Sequence, residues 1–306
     1  MKFSLLFSLL ALCFPIHSHA IEYIIKSNKK LGQFDKNLGE LRSLELSFGN
    51  YYLVKMKDGL DQKQLREVKK LDYVEFIEPN VTLETQVLPS NEDILPQKDW
   101  YVDQQWGILN DGRNSSSMRE RGKAGEDINA FSAWEITKGK KEVVIAIIDT
   151  GVDYLHPDLK ENAWVNTAEK EGAPGEDDDG NGLVDDIHGY NFYSNTPDPM
   201  DKKGHGTHCA GIIGAAHNEL GIKGVMDNVR LMSLRFMGAD GRGTVAAAVK
   251  SMNYAIENGA HILSNSWATS TYSQTLFDGV EATQKAGVIF VAAAGNEQND
   301  NDAYQT

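Results

Sequence analysis

The 306-residue sequence has almost no cysteine: Cys13 and Cys209 are the only two. Cys13 falls in an N-terminal apolar run, and removal of that run leaves one thiol and no possible internal disulfide. Stability must then come from a core and from bound ions. Positive charge is also scarce, with 30 Lys and Arg against 44 Asp and Glu and a formal net charge of −14. Loss of Lys2 with the leader removes one positive charge and takes −14 to −15. That balance argues against nucleic-acid or anionic-membrane partners and suits a calcium binder. Beyond the N-terminus, no apolar run approaches the ~20 residues needed to span a bilayer.

What is present begins with MKFSLLFSLLALCFPIHSHA, which has one Lys, an apolar stretch from Phe3 to Phe14 and a small-residue exit at Ser18-His19-Ala20. This is the layout of a secretory signal peptide over residues 1–20, and it predicts an extracellular or periplasmic product. A membrane anchor is the alternative, but the run is short for one. Lipidation at Cys13 is disfavoured by the large Leu12 before it.

Residues 21–85 read as a small α+β domain. IEYIIK and NYYLVKM are strand-like, QKQLREVKKL has helical spacing through Leu65, Val68 and Leu71, and DYVEFIEPN is a further strand ended by Pro79. Residues 86–99 carry Pro89 and Pro96 among polar residues and read as a linker with a maturation site between about Glu84 and Trp100. Asn80-Val-Thr and Asn114-Ser-Ser match the glycosylation sequon, a pattern common by chance.

From residue 100 to 306 strands and helices alternate. VVIAII (143–148), RLMSLR (230–235), HILSN (261–265) and VIFVAAA (288–294) are apolar strands. Thr244 to Asn258 places Val245, Val249, Met252 and Ile256 on one helical stripe, and Phe277 to Ala286 is a second helix. Repeated βαβ units predict an α/β three-layer sandwich with a mostly parallel sheet, and ligands of such sheets bind at the carboxyl ends of the strands. Asp149, Ser266 and Asn296 all follow strands and gather at that edge.

Three polar residues there are the parts of acyl-transfer chemistry. Asp149 ends the strand in VVIAIIDTG and can orient an imidazole, although Asp also caps turns. His205 in GHGTHCAG (204–211) stands where a helix begins, with Thr207 placed to cap it. Asn296 in AAAGNE can donate its amide to an oxyanion, although Gly-Asn is also an ordinary turn. A competing reading takes His205, His208 and Cys209 as zinc ligands, without a second Cys/His cluster to support it. DDDGNGLVDD (177–186) sets Asp177, Asp179, Asn181 and Asp185 around Gly180 and Gly182, as in the first half of an EF-hand. His188 stands where the twelfth-position Glu would be, so this is a calcium loop of another kind or a solvated acidic turn.

In this order the three motifs resemble those of the subtilisin-like serine peptidases, from about Trp106 onward. The resemblance implies Asp149 as orienting acid, His205 as general base and Asn296 as oxyanion donor, acting on polypeptide substrates. It implies a buried, hydrogen-bonded His208 and an unpaired Cys209 near the site. SNSWA (264–268) looks like the substrate-binding strand end, with Ser266, Trp267 and Ala268 lining the cleft. The family more often has Gly where Ala268 stands, and the added methyl is expected to crowd substrate there. FMGADGRGT (236–244) resembles the opposite wall, so substrate would add as a strand between the two. Residues 21–85 resemble the family's inhibitory propeptide, a partner of the peptidase domain, and a monomer is expected. HNELGIKGV (217–225) resembles a calcium loop, with ligands from Asn218, the carbonyls of Leu220 and Ile222, Asp158 and Gln104 or Gln105.

The family's nucleophile lies in a GTSMA-like motif well after the oxyanion Asn. Here ten residues follow Asn296, none is Ser, the last Ser is Ser273 and Gly-Thr-Ser is absent. The expectation is a peptidase precursor in an incomplete chain. The alternatives are an inactive peptide- or calcium-binding chain, and an N-terminal domain acting as inhibitor or folding helper.

Overall fold

The computed structural model describes residues 21–35, 37–56, 62–85, 101–112 and 122–296. The expected signal peptide, the linker from residue 86 to 99 and the residues after Asn296 lie outside the described residues. Among the described residues, no helix is long and apolar enough to cross a membrane.

The N-terminal part runs β1 (Ile21–Ser27), β2 (Phe34–Asp35), β3 (Gly39–Ser43), β4 (Asn50–Met56), α1 (Gln62–Val68), β5 (Val74–Pro79) and β6 (Thr82–Thr85). The first five strands form an antiparallel sheet in the order β2-β3-β4-β1-β5. The apolar residues of β1 serve both faces of the sheet. Tyr23 and Ile25 pack with Val54, Val68 and Ile77, whereas Ile24 turns to the opposite face.

The rest of the chain adds α2 (Ala130–Trp134), β7 (Gly139–Asp149), α3 (Thr167–Glu171), β8 (Gly189–Asn191), α4 (His205–Gly214), β9 (Asn228–Arg235) and β10 (Arg242–Thr244). It continues through α5 (Val245–Glu257), β11 (Ile262–Asn265), β12 (Trp267–Ala268), α6 (Gln274–Lys285) and β13 (Ile289–Ala292). Five of these strands form a parallel sheet in the order β13-β11-β7-β9-β8. The apolar run of β7 is explained by burial on both faces. Ile145 and Ile147 pack with Ala210 of α4, while Val144, Ala146 and Ile148 pack in the cluster that contains α5. The three layers are therefore α4, the sheet, and α5 with α6.

The two sheets share one core. Ile24, Leu44, Tyr51 and Leu53 join Val249, Met252 and Ala255 of α5 in a single buried cluster, so α5 and α6 lie between the sheets. Polar contacts fix the arrangement. Asn80 Oδ1 accepts from the Ala246 N–H (3.1 Å) at the start of α5, and Ser47 donates to Asn253. On α6, Asp278 accepts from Tyr51 (2.5 Å) and Lys26 (3.0 Å). Partial burial pushes the Asp278 carboxyl up, but hydrogen bonds from Tyr51, Gln274 and Lys26, with the Lys26 charge, more than reverse this and hold it below its ordinary range.

Candidate active site

Asp149 is the last residue of β7, and α4 is drawn against it by a close approach that only glycine allows. A Cβ on Gly206 would stand 2.1 Å from the Gly151 carbonyl oxygen and 3.0 Å from the Asp149 Cβ. With that space free, the first residue of α4 reaches the strand end. His205 Nδ1 lies 2.7 Å from Asp149 Oδ1. Both are buried, with 4% and 1% of their surfaces exposed. Burial pushes the imidazole pKa down, but the hydrogen bond and charge of Asp149, with Cys209 beside it, more than reverse this and lift it to about 10. Nε2 can act as a base only in the neutral ring, which bonds Asp149 through Nδ1–H and which the raised pKa disfavours below about 10.

The strand order sets the remaining parts. β11 lies between β7 and β13, so Asp149, Ser266 and Asn296 follow three neighbouring parallel strands at one sheet edge. Trp267 is fastened to this edge by its indole N–H, which donates to the Ile148 carbonyl at 2.9 Å. A cleft of about 760 Å³ is lined by Trp267, Ala268, Ala292, Gly295 and Asn296 on one side and by Thr82, Glu84 and Thr85 on the other. Asn296 is exposed at its wall. Ser266 is half-buried and is not among the residues lining the cleft.

The groove between the two expected walls contains a strand of this same chain. β6 pairs antiparallel with β10 through Glu84 opposite Arg242 and Leu83 opposite Gly243, and with β12 through Thr85 opposite Trp267 and Glu84 opposite Ala268. Leu83 is fully buried, in the cluster that holds Phe236, Val245 and Trp267. Glu84 points outward to Arg242, whose Nε is 2.9 Å from its carboxylate. The Ala268 methyl does not stop an extended chain from pairing there. Thr82–Thr85 gives no strand alternation strong enough to separate it from the polar linker, and its partners lie about 160–185 positions away in the sequence.

The acidic loop is organised differently from its spacing. Oxygens of Glu169, Asp177 and Asp179 lie within 4.8 Å of one another. Glu169, only 3% exposed, accepts the N–H groups of Asp178 and Asp185 at 2.7 and 2.8 Å. Asp185 instead turns its carboxylate to the Gly175 N–H, outside that group. Asn181 donates its amide to Asp179 and to fully buried Asp186. Burial pushes the Asp186 carboxyl up, against hydrogen bonds from Tyr254, Asn181 and Asn166. Converging carboxylate oxygens are the donors that Ca²⁺ prefers, so Glu169, Asp177 and Asp179 fit such an ion. Sequence spacing overlooked Glu169 and Asp186.

The second expected loop wraps Asp158. Its Oδ2 accepts from the Ile222 N–H at 3.1 Å, and Asn218 bonds to the Pro157 carbonyl and the Leu220 N–H. Gln105 bonds to Lys223 on both sides of its amide, while Gln104 is exposed. Asp158, Asn218, Leu220 and Ile222 are thus brought together around a buried carboxylate, a donor suited to a hard cation.

Two expectations on α4 are corrected. His208 is exposed, because the helix turns it away from the sheet that Ala210 packs against. Thr207 lies inside the helix, whose flanking residue is Gly204, and its hydroxyl binds Asp201. Cys209 is half-buried with its sulfur 4.0 Å from His205 Nδ1. Asp149, His205 and Cys209 bring ligand atoms within 4.8 Å, but His208 is not in that group, and three ligands fall short of a closed zinc site.

Comparison with known proteins shows the family and the fold. The sequence model of the subtilase family matches residues 140–306. Subtilisin-like protease 1 of Plasmodium falciparum (isolate 3D7) is 40% identical over 153 residues, covering 50% of this chain and 22% of that protein. The thermophilic serine proteinase of Bacillus sp. (strain AK1) is 38% identical over 165 residues, covering 54% of this chain and 35% of that protein. The chain therefore spans about a fifth to a third of the length of these relatives. The crystal structure of fervidolysin from Fervidobacterium pennivorans, a keratinolytic enzyme related to subtilisin, superposes with a TM-score of 0.61 at 21% identity. That likeness covers 94% of this chain and 41% of the fervidolysin chain, and shows the shared fold.

Proposed function

Because this chain belongs to the subtilase family of serine-type peptidases, we propose that it is the precursor form of a secreted endopeptidase, with residues 21–85 as propeptide. The observation that carries this reading is the buried Asp149–His205 pair beside a groove filled by β6. Asp149 holds the His205 ring through Nδ1, and Nε2 takes the proton of a serine hydroxyl as that oxygen attacks the peptide carbonyl. The Asn296 amide donates to the developing oxyanion, an interaction worth about 3–4 kcal/mol. Substrate pairs with the β10 and β12 backbones as β6 does, and β6 inhibits by occupying that place until maturation cuts the linker.

Calcium would be held by Glu169, Asp177 and Asp179, and by Asp158 with Asn218 and the carbonyls of Leu220 and Ile222. There it supplies positive charge that stiffens acidic loops. Secretion rests on the leader sequence over residues 1–20.

A second reading is a peptide-binding chain without turnover, favoured by the way β10 and β12 already hold an extended segment by backbone pairing. The coding sequence downstream of codon 306 separates the two: a Gly-Thr-Ser-Met-Ala-like segment there supports the peptidase, and unrelated sequence supports the peptide binder. Peptide hydrolysis by these 306 residues alone should not exceed that of a His205→Ala control. Turnover abolished by the substitution would mean that one of the present side chains supplies the nucleophile.

A further inference from the structure

We infer that Asp201 is a positioning residue for His205: its carboxylate fixes the first turn of α4 and, through the Thr207 hydroxyl, ties that turn to the loop after Asp149. The inference rests on the reading of Asp149 and His205 as acid and base.

Asp201 stands four residues before His205, outside the GHGTHCAG motif. Its carboxylate accepts four hydrogen bonds. Oδ1 takes the N–H groups of Lys203 (2.8 Å) and Gly204 (2.9 Å), and Oδ2 takes the Thr207 N–H (3.0 Å) and the Thr207 hydroxyl (2.7 Å). The Thr207 N–H belongs to the first turn of α4, whose amides lack helical acceptors. A carboxylate can only accept, so the hydroxyl must donate to it and keeps its lone pairs free. One of these accepts the Asp153 N–H at 2.9 Å. Asp153 lies four residues after Asp149, so the relay Asp153–Thr207–Asp201 joins the two catalytic segments.

A parallel strap runs closer to the pair. The Gly206 N–H donates to Thr150 Oγ1 (3.0 Å), and the Thr150 N–H donates to Asp149 Oδ1 (2.7 Å). Asp201 also packs directly on this loop. A Cβ at Gly151 would meet the Asp201 nitrogen at 2.9 Å and its Cα at 3.1 Å. The 2.7 Å Asp149–His205 contact spans 56 positions of sequence, and Asp201 is where helix, strand-end loop and incoming chain meet. A carboxylate that only shaped its own turn would need Lys203 and Gly204 but neither bond to Thr207.

The test follows the His205 ring by NMR titration in the full chain carrying isotope-labelled histidine. Asp149→Asn first establishes the pairing, by dropping the His205 transition from its elevated position. Asp201→Asn, whose NH₂ cannot accept from Thr207, should lower the transition by about one unit, a tenfold loss of proton affinity. Thr207→Val should do the same, and Thr207→Ser should restore the wild-type curve. A wild-type His205 transition in both Asp201→Asn and Thr207→Val overturns the inference. If Asp201→Asn does not fold, the near-isosteric Thr207→Val decides alone, with an unchanged transition counting against it. If Asp149→Asn leaves the transition in place, it is the acid–base reading that fails.

Discussion

Ser273 Oγ donates to Glu78 Oε1 at 2.8 Å, across the boundary between the antiparallel sheet and α6. The same carboxylate accepts the N–H groups of Gln274 (2.9 Å) and Thr275 (3.0 Å), so a side chain of β5 closes the first turn of a helix almost 200 residues later. An anion at a helix N-terminus is favoured by both hydrogen bonding and the helix dipole. Glu78→Ala should therefore cost about 1–2 kcal/mol. Hydrogen exchange should locate the loss, with faster amides in β6 and in the first turn of α6 and unchanged protection in α4. Uniformly faster exchange would mean that Glu78 serves global stability rather than the joint.

The Asp149–His205 pair should give the protein an alkaline stability limb. The folded-state pKa of His205 is raised to about 10 from an ordinary 6.5. The contribution of the pair is then fully present below about pH 6.5 and is lost as pH rises through about 10. Denaturant midpoints measured across that window should fall for the wild type, and Asp149→Asn should flatten the fall. Removing one partner of a buried ion pair costs about 3–5 kcal/mol, so the variant should be weaker at neutral pH as well. A wild-type midpoint constant between pH 6.5 and 10 would contradict the assignment.

The parallel sheet was legible because β7, β9 and β11 must satisfy burial on their faces, and a run such as VVIAII has few other uses. The pairing of Asp149 with His205 was legible because both stand at fixed distances from glycines that the close approach requires. β6 was not, since a four-residue strand whose partners are distant carries no local periodicity. Glu169 was hidden for another reason. In TAEKE it looks like a solvated helix residue, and only the fold reveals that its carboxylate gathers the N–H groups of the acidic loop. His208 misled in the opposite direction, because its burial was expected from the family resemblance, whereas α4 packs only one face and turns this side chain outward.

The acidic loop distinguishes two sets of calcium ligands. If Glu169, Asp177 and Asp179 form the cradle, Asp179→Ala and Glu169→Gln should diminish the calcium-dependent rise in Tm, while Asp185→Ala should largely keep it. Saturation at a hundred times Kd stabilises by about 2.7 kcal/mol at a single site, enough for a clear thermal shift. Since Asp158 offers a second site, the measurement should be repeated in an Asp158→Asn background to isolate the first. A Tm indifferent to chelator in the wild type would remove both assignments.

The grip on β6 should come from Leu83 and not from its visible ion pair. Leu83 is fully buried among Phe236, Val245 and Trp267, and truncating such a side chain costs about 2–5 kcal/mol. The Glu84–Arg242 pair is about 60% exposed on both sides and is worth at most about 1 kcal/mol. Leu83→Ala should therefore release β6, exposing Trp267 and allowing an added extended peptide to bind the cleft, whereas Glu84→Gln should leave the groove closed. Trp267 is buried and packs edge-on against Phe236 at 5.2 Å between ring centres, so its fluorescence should move to longer wavelength only in the first variant. Equal effects of the two substitutions would mean that backbone pairing with β10 and β12, and no side-chain pocket, holds the strand in place.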